Sequence, residues 1–270
     1  MIINILHKKL FLLLLLLGII GSQPACWDRR EVEQLIIVSG VGIESAPAGK
    51  IRVIVQVLNP KAGVGAIGSL GLPTEQKSYR NLEAEADTVF EALRQVTREA
   101  PRRPFYAHTQ VIILAEGLLR ERPVQEVLDF FERDHELRRN AWLLVSRTDL
   151  VDLINLPGLL DPGPGMRLSR IIRDRGLTSQ YAVQPVGDFL EMLESEGTDP
   201  FTAGVELVPN QAYNPEHKSD ADPAMEPEDT LLLNGAAVFR EDKLAGWLNQ
   251  TESRGVLWVR SEVRSGIIQV

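Results

Sequence analysis

The chain has 270 residues, a formal net charge of −8, 44% hydrophobic residues and 24% charged residues. This length allows one large domain or two small ones, and the composition is that of a globular protein. Nucleic-acid binding is disfavoured, because phosphate contacts need clustered Lys and Arg and no strongly basic stretch is present. The single cysteine excludes an internal disulfide and an all-cysteine metal site within this chain.

The N-terminal residues have the pattern of an export signal. Lys8 and Lys9 precede the apolar run LFLLLLLLGII at 10–20. This run is short for a membrane-spanning helix, which needs about 20 residues, and a basic flank before it is typical of a secretory signal. Cys26 follows directly after a small residue, and this arrangement resembles a bacterial lipobox, in which the cysteine thiol is diacylated. We therefore predict a lipoprotein signal peptide over 1–25; the alternative is a plain export signal with an incidental thiol.

Strands and helices then alternate along the chain, which predicts an α+β fold with a mixed sheet and flanking helices. The predicted strands are 35–44, 51–59, 75–86, 109–116, 141–147 and 201–209. The predicted helices are 87–98, 123–133, 148–156, 166–176 and 186–197. In 51–59, apolar residues alternate with Arg52 and Gln56, as in a half-buried strand.

A composition change at 210–229 separates two regions. This segment has three prolines, many acids and almost no large apolar side chains, and is predicted to be a linker. It divides a first domain, 26–209, from the start of a second α+β domain, 230–270. The second region contains predicted strands at 231–242, 243–249 and 265–270 and a helix at 251–259.

No motif in the chain predicts catalysis, a cofactor or a metal. The glycines from Gly63 to Gly68 match G-x-G-x-x-G, but Gly71 and Pro73 prevent the helix that this fingerprint requires, so a flexible loop is expected. No nucleophile turn of the G-x-S-x-G type is present. The four histidines lack metal-ligand spacing: His7, His108, His135 and His217.

Two pairs of side chains are candidates for contacts. Arg102 and Arg103 lie between two prolines. They form either an anion site or a rigid connector whose arginines pair with acids such as Glu99 or solvate the surface. Trp247 and Trp258 are predicted to be core aromatics, and the alternative is that they are surface anchors for a partner chain.

Four stretches, taken in order behind the lipobox, resemble one family, the Ger(x)C lipoproteins. These are C subunits of nutrient germinant receptors in spore-forming bacteria. The stretches are CWDRREVEQLIIVSGVGIE (26–44), VQVLNP (55–60), TREAPRRPFYAHTQVIILAEGL (97–118) and LNGAAVFREDKLAGWLNQTESRGVLWV (233–259).

The resemblance implies a non-enzymatic, lipid-anchored receptor subunit without a cofactor, needed for assembly or signalling. It would lie on the outer face of the spore inner membrane, beside an A-type subunit and a transporter-like B-type subunit. Cys26 would carry the lipid. The candidate contacts with the membrane or a partner are Trp27, Asp28, Arg29, Arg30, Glu31, Arg102 and Arg103.

Members of this family are longer than this chain. We therefore expect 230–270 to be the beginning of a truncated C-terminal domain, to pack onto the first domain, or to pair with a separately encoded remainder. Two other functions are weighed against the receptor role: a solute-binding lipoprotein of an envelope transporter, which needs two balanced lobes around a cleft, and an envelope hydrolase.

Overall fold

The structure is a computed structural model that describes residues 2–21, 31–59, 77–134, 136–157, 161–174, 176, 179–210, 229–263 and 265. It has two compact units, Met1–Gln34 and Leu35–Val270. The first unit contains helix α1, Ile2–Gly21, with exposed leucines, and a single 3-10 turn at Val32–Gln34. Among the described residues, no helix is both long and apolar enough to cross a membrane.

The second unit contains ten strands and seven helices among its described residues. The strands are β1 (Leu35–Ala46), β2 (Lys50–Leu58), β3 (Tyr79–Ala86), β4 (Arg103–Phe105), β5 (Val111–Ala115), β6 (Trp142–Ser146), β7 (Gln184–Pro185), β8 (Phe201–Pro209), β9 (Asp229–Arg240) and β10 (Lys243–Leu248). The helices are α2 (Val89–Glu99), α3 (Glu116–Glu121), α4 (Val124–Arg133), α5 (Leu150–Asn155), α6 (Pro164–Arg173), α7 (Val186–Glu194) and α8 (Gln250–Val259).

One mixed sheet organises this unit, with strand order β10-β9-β8-β6-β5-β1-β2-β3. β1, β5, β6 and β8 are parallel, whereas β2, β3, β9 and β10 join their neighbours in antiparallel hairpins. β4 pairs with the beginning of β1, and β7 pairs with β6. The predicted α+β class with a mixed sheet and flanking helices is confirmed.

Local sequence explains the element boundaries. Ala48 and Gly49, with φ of 61° and 71°, close the β1–β2 turn. Thr88 caps α2 by accepting a hydrogen bond from the Glu91 amide, which satisfies an amide without a partner inside the helix. Pro164 stands in the first turn of α6, where its fixed φ and missing N–H cost nothing, and the helix therefore begins before the predicted residue 166.

Helices cover both faces of the sheet. α2, α3, α4 and α7 bury one face, and α5 and α6 bury the other. Gly42 allows α5 and α6 to approach β1 closely, because a Cβ at this position would lie 2.3 Å from the Ile154 Cδ1. β2 is therefore buried on both sides and is not half-buried as its alternation indicated: Gln56 has an exposed fraction of only 2%.

A polar seam accommodates this buried amide on the face covered by α5 and α6. The Gln56 Nε2 donates to the Ile154 carbonyl at 3.2 Å. Its Oε1 accepts from the Gly165 amide at 3.0 Å and from the Ser39 hydroxyl at 3.2 Å. The seam, Ser39, Gln56, Ile154 and Gly165, satisfies the polar atoms of a side chain that cannot reach water.

The segment at 210–229 stays a predicted linker, because 211–228 lie outside the described residues. β8 and β9, on either side of it, are antiparallel neighbours from Phe201↔Val238 to Pro209↔Asp229. The elements after this segment thus extend the sheet begun by the first region. The division into two domains remains a prediction, and the predicted strand at 265–270 lies outside the described residues except for Ser265.

Candidate interaction surface

The beginning of β1 extends past the strand beside it. Gly40 pairs with Val111, the first residue of β5, so the five residues before Gly40 have no β5 partner. Instead, Leu35 pairs with Arg103 and Ile37 with Phe105, in parallel. We call these two short segments, 35–37 and 103–105, the tongue. At about 3.3 Å per residue, it reaches some 16 Å beyond the start of β5.

Proline and aromatic residues attach the tongue to the core. Pro104 is buried between β1 and the helices, and Tyr106 begins a 3-10 turn, Tyr106–His108, that separates β4 from β5. Tyr106 is 7% exposed, and burial raises the pKa of its hydroxyl. The rings of Phe105 and His108 meet edge to face at 5.5 Å.

Arg103 forms an ion pair at the base of the tongue. Its Nη2 lies 2.6 Å from the Glu136 Oε1, in the connection between α4 and β6. The Arg103 side chain is 50% exposed and that of Glu136 only 10%. Of the two alternatives for this loop, pairing with an acid is observed, and the partner is Glu136 and not the expected Glu99.

Three more arginines lie near this pair in the sequence and have no partner among the described residues. Arg102 is exposed and, in the part of the chain that the structure describes, forms no ion pair or side-chain hydrogen bond. The same holds for Arg98, in the last turn of α2, and for Arg138, two residues after Glu136. We call Arg98, Arg102, Arg103 and Arg138 the arginine cluster.

The structure thus brings two of the sequence-predicted contact residues to the beginning of β1. Arg102 and Arg103 lie beside Leu35, and the exposed Glu31 precedes Leu35 by four residues. Cys26, Trp27, Asp28, Arg29 and Arg30 lie outside the described residues, as do the 63–68 glycines, His135 and His217.

A second charged group lies where β5 and β6 end. The Trp247 Nε1 donates to the Glu116 Oε1 at 3.1 Å, and the Arg147 guanidinium stacks 4.8 Å above the indole ring. Burial opposes ionisation of Glu116, but the hydrogen bond from Trp247 and the ion pair with Arg120 hold its pKa below the usual value. Each of these side chains thus has a partner within the group.

The two C-terminal tryptophans differ in exposure. Trp247 packs against the core that contains α3 and α4, as predicted. Trp258, on α8, is 57% exposed, so the prediction of a core position for it is wrong. Its ring faces outward because the buried positions of α8 are Ser253 and Leu257.

A cleft of about 930 Å³ lies among α6, α7 and α8. Its charged lining residues carry both signs and include Arg173, Asp188, Glu191, Arg260 and Glu262. Two of them neutralise each other, since the Arg260 Nε lies 2.7 Å from the Glu262 Oε1. No set of three His, Cys, Asp or Glu side chains within the described residues could hold a metal ion.

Comparison with known proteins decides the family. A model described as the spore germination protein N-terminal domain matches residues 28–207, and a model described as spore germination B3/GerAC like, C-terminal, matches 234–270. The chain belongs to this spore germination protein family. The resemblance noted from the four sequence stretches is confirmed.

Two curated relatives come from Bacillus subtilis (strain 168). Spore germination protein KC is 26% identical over 268 residues, which cover 97% of this chain and 64% of the relative. Spore germination protein B3 is 26% identical over 263 residues, covering 96% and 61%. The chain therefore spans less than two thirds of the length of these relatives.

One solved structure, described as the crystal structure of the GerBC protein, is 21% identical to the chain. The match covers 86% of this chain and 58% of that one, with a TM-score of 0.39. A TM-score this low leaves the fold to be described from the chain's own elements.

The tongue was not predicted, although part of its signal is present in the sequence. R-P-F-Y combines a proline with two aromatic residues, which are common in strands, but three residues are too few for an alternation pattern. The parallel partner of β4 lies about 70 positions earlier, and such long-range pairing leaves no local mark.

Proposed function

We propose that this protein is a non-enzymatic, lipid-anchored subunit of a nutrient germinant receptor, and that it acts in spore germination through assembly or signalling. The observation that carries the proposal is the family match over 28–207, two thirds of the chain. Two relatives named as spore germination proteins, KC and B3, align with nearly all of the chain and support it.

The proposed anchor is Cys26, the only cysteine in the sequence. The family match begins two residues after it, so the folded region would start almost at the lipid. Two or three acyl chains, at about 0.8 kcal/mol for each buried CH2, would hold the protein stably on a bilayer. We place it on the outer face of the spore inner membrane, with A-type and B-type receptor subunits as partners.

The proposed contacts with the membrane or these partners are 27–31 together with Arg102 and Arg103. Arg103 belongs to the tongue and Arg102 directly precedes it in the chain, and their position next to the beginning of β1 supports this assignment. The exposed Trp258 on α8 is a further surface that a partner chain could cover.

The alternative of a solute-binding lipoprotein has less support. Such a protein closes two balanced lobes around a ligand. Here every described strand of the 35–270 unit belongs to or pairs with one sheet, and the cleft among α6, α7 and α8 has two of its charges paired with each other.

Dipicolinate release from spores tests the receptor role. Wild-type spores, a deletion, Cys26→Ala and the neighbouring control Ser22→Ala would be exposed to a panel of amino acids and sugars. Dodecylamine serves as a receptor-independent trigger. We expect the deletion and Cys26→Ala to lose the response to one nutrient class, and Ser22→Ala to keep it, with dodecylamine release unchanged throughout. Unchanged nutrient responses in the deletion would refute the receptor role for this protein.

A further inference from the structure

The tongue is the part of the folded unit attached to the lipid by the shortest length of chain. Leu35 follows Cys26 by nine residues in the sequence. Nine extended residues reach at most about 30 Å, and the 3-10 turn at Val32–Gln34 shortens this distance. A protein acylated at Cys26 would therefore keep Leu35 and its neighbour Arg103 close to the bilayer surface.

The side chains of the tongue suit a bilayer surface. Ile37 is 37% exposed, and it pairs with Phe105, which is only half-buried. The exposed Arg102 and Arg103 precede Phe105 by three and two residues. An arginine can lay its aliphatic stem on apolar surface while its guanidinium binds a phosphate through two hydrogen bonds. An apolar strip bordered by arginines matches the boundary between acyl chains and phosphate headgroups.

The charges at the two ends of β1 favour one orientation. At the far end of β1, Arg52 is shared by Glu44 and Glu85, Arg122 donates to the Gly49 carbonyl, and Arg120 pairs with Glu116, so the arginines there have partners. At the tongue, Arg98, Arg102 and Arg138 have no acidic partner among the described residues. An anionic surface would attract the arginines without acidic partners at the tongue and repel the chain as a whole, whose net charge is −8.

We propose that the tongue and the arginine cluster bind the headgroups of anionic phospholipids and so fix how the anchored domain stands on the membrane. This inference rests on the proposed lipid anchor at Cys26 and goes beyond it by naming the docking surface and its ligand. The ligand chemistry is a phosphate diester presented on a bilayer.

Two reporter positions test the orientation in the full-length, acylated protein. Pro101→Cys places a thiol beside Arg102, and Pro47→Cys places a matched thiol in the exposed turn at the other end of β1. Acylation of Cys26 leaves each introduced cysteine as the one reactive thiol for a fluorophore. The vesicles would contain phosphatidylcholine with or without phosphatidylglycerol, plus a lipid with a quencher on its headgroup.

We expect strong quenching at position 101 and weak quenching at position 47 on vesicles with phosphatidylglycerol. The difference in quenching between positions 101 and 47 should be smaller on phosphatidylcholine alone. It should also be smaller in high salt, because screening weakens the interactions of exposed charges. The double variant Arg102→Gln, Arg103→Gln should lower the ratio of docked to undocked orientations by up to about 25-fold, or about fivefold for each arginine. Lys50→Gln with Arg120→Gln removes the same charge at the far end and should leave the quenching at position 101 unchanged.

Two failures can be told apart. If the protein leaves the vesicles, the anchor fails and the inference fails with it. If the protein stays bound but position 101 is quenched no more than position 47 on either vesicle, the anchor stands and the inference is wrong. The tongue would then be assigned to a protein partner.

Discussion

The two parts of β1 differ sharply, although they belong to one continuous strand. Residues 38–43 are all buried, with β2 on one side, β5 on the other and helices over both faces. Among the described strands, residues 35–37 pair only with β4, and none of the three is fully buried. The central part is held by contacts from four directions, whereas the tongue is held by three residue pairs, one ion pair, the buried Pro104 and the packing of Ile36 against the core.

This difference separates stability from surface chemistry. Buried polar groups in the centre of β1, such as the Ser39 hydroxyl, form hydrogen bonds within the seam. A substitution there leaves buried polar atoms without hydrogen-bond partners. The charges of the tongue face water, where an ion pair contributes little to the free energy of unfolding. A guanidinium there can leave its ion pair and bind a ligand. We therefore expect substitutions in the centre to act on folding and substitutions in the tongue to act on binding.

The largest expected effect comes from Gln56→Leu in the polar seam. Leucine fills a similar volume but leaves the Gly165 amide and the Ile154 carbonyl without partners away from water. Each such group costs about 1–3 kcal/mol, so the free energy of unfolding should fall by about 3 kcal/mol in a urea titration.

The matched control is Gln125→Leu on the exposed face of α4, which should change the free energy of unfolding by less than about 0.5 kcal/mol. A loss below about 1 kcal/mol for Gln56→Leu would show that the seam contributes little and would weaken the contrast with the tongue.

A smaller effect, confined to alkaline pH, is expected at Tyr79. Its hydroxyl donates to the Leu156 carbonyl at 2.7 Å, its side chain is 3% exposed, and burial raises its pKa from 10.0 to about 12. The folded state thus holds the proton more tightly than the unfolded state. The stability contributed by this group is present below pH 10 and is lost as pH rises through about 12.

The measurement is the free energy of unfolding as a function of pH for the wild type and Tyr79→Phe. Tyr79→Phe should lower stability at neutral pH, because the Leu156 carbonyl loses its donor, and the difference between the two proteins should narrow above pH 10. Parallel curves across this range would mean that Tyr79 ionises equally easily in both states.

The contrast within β1 also marks what could be predicted from the sequence. Strands β1, β2 and β8 and helix α4 were found because their apolar spacing is local. The burial of Gln56 was missed because its covering partners, Ile154 and Gly165, are 98 and 109 positions away. A polar residue in an alternating strand is normally on the solvent side, and only the packing of α5 and α6 reverses this.

For the candidate surface, the sequence identified Arg102 and Arg103 but not their setting. Their position between two prolines indicated a rigid loop. The pairing of Arg103 with Leu35 and with Glu136 depends on the parallel register of β4 and on the path of the chain after α4. Local composition indicates neither this register nor this path. An acid nearby in the sequence, such as Glu99, was therefore expected as the ion-pair partner.

The smallest expected effects lie in the tongue. Arg103→Gln removes the cation beside Glu136, which is 10% exposed. It should lower the free energy of unfolding by at most about 1 kcal/mol, because the arginine itself is half-exposed.

Arg102→Gln removes an arginine without a partner in the described structure and should leave the free energy of unfolding within about 0.5 kcal/mol of the wild type. Urea titrations of both variants, beside Gln56→Leu, complete the comparison. If Arg103→Gln cost as much as Gln56→Leu, the tongue would belong to the stability core. Its arginines would then be structural groups that are unavailable to a membrane or a partner. An arginine that the fold requires cannot exchange its contacts for a ligand unless the strand that holds it unfolds.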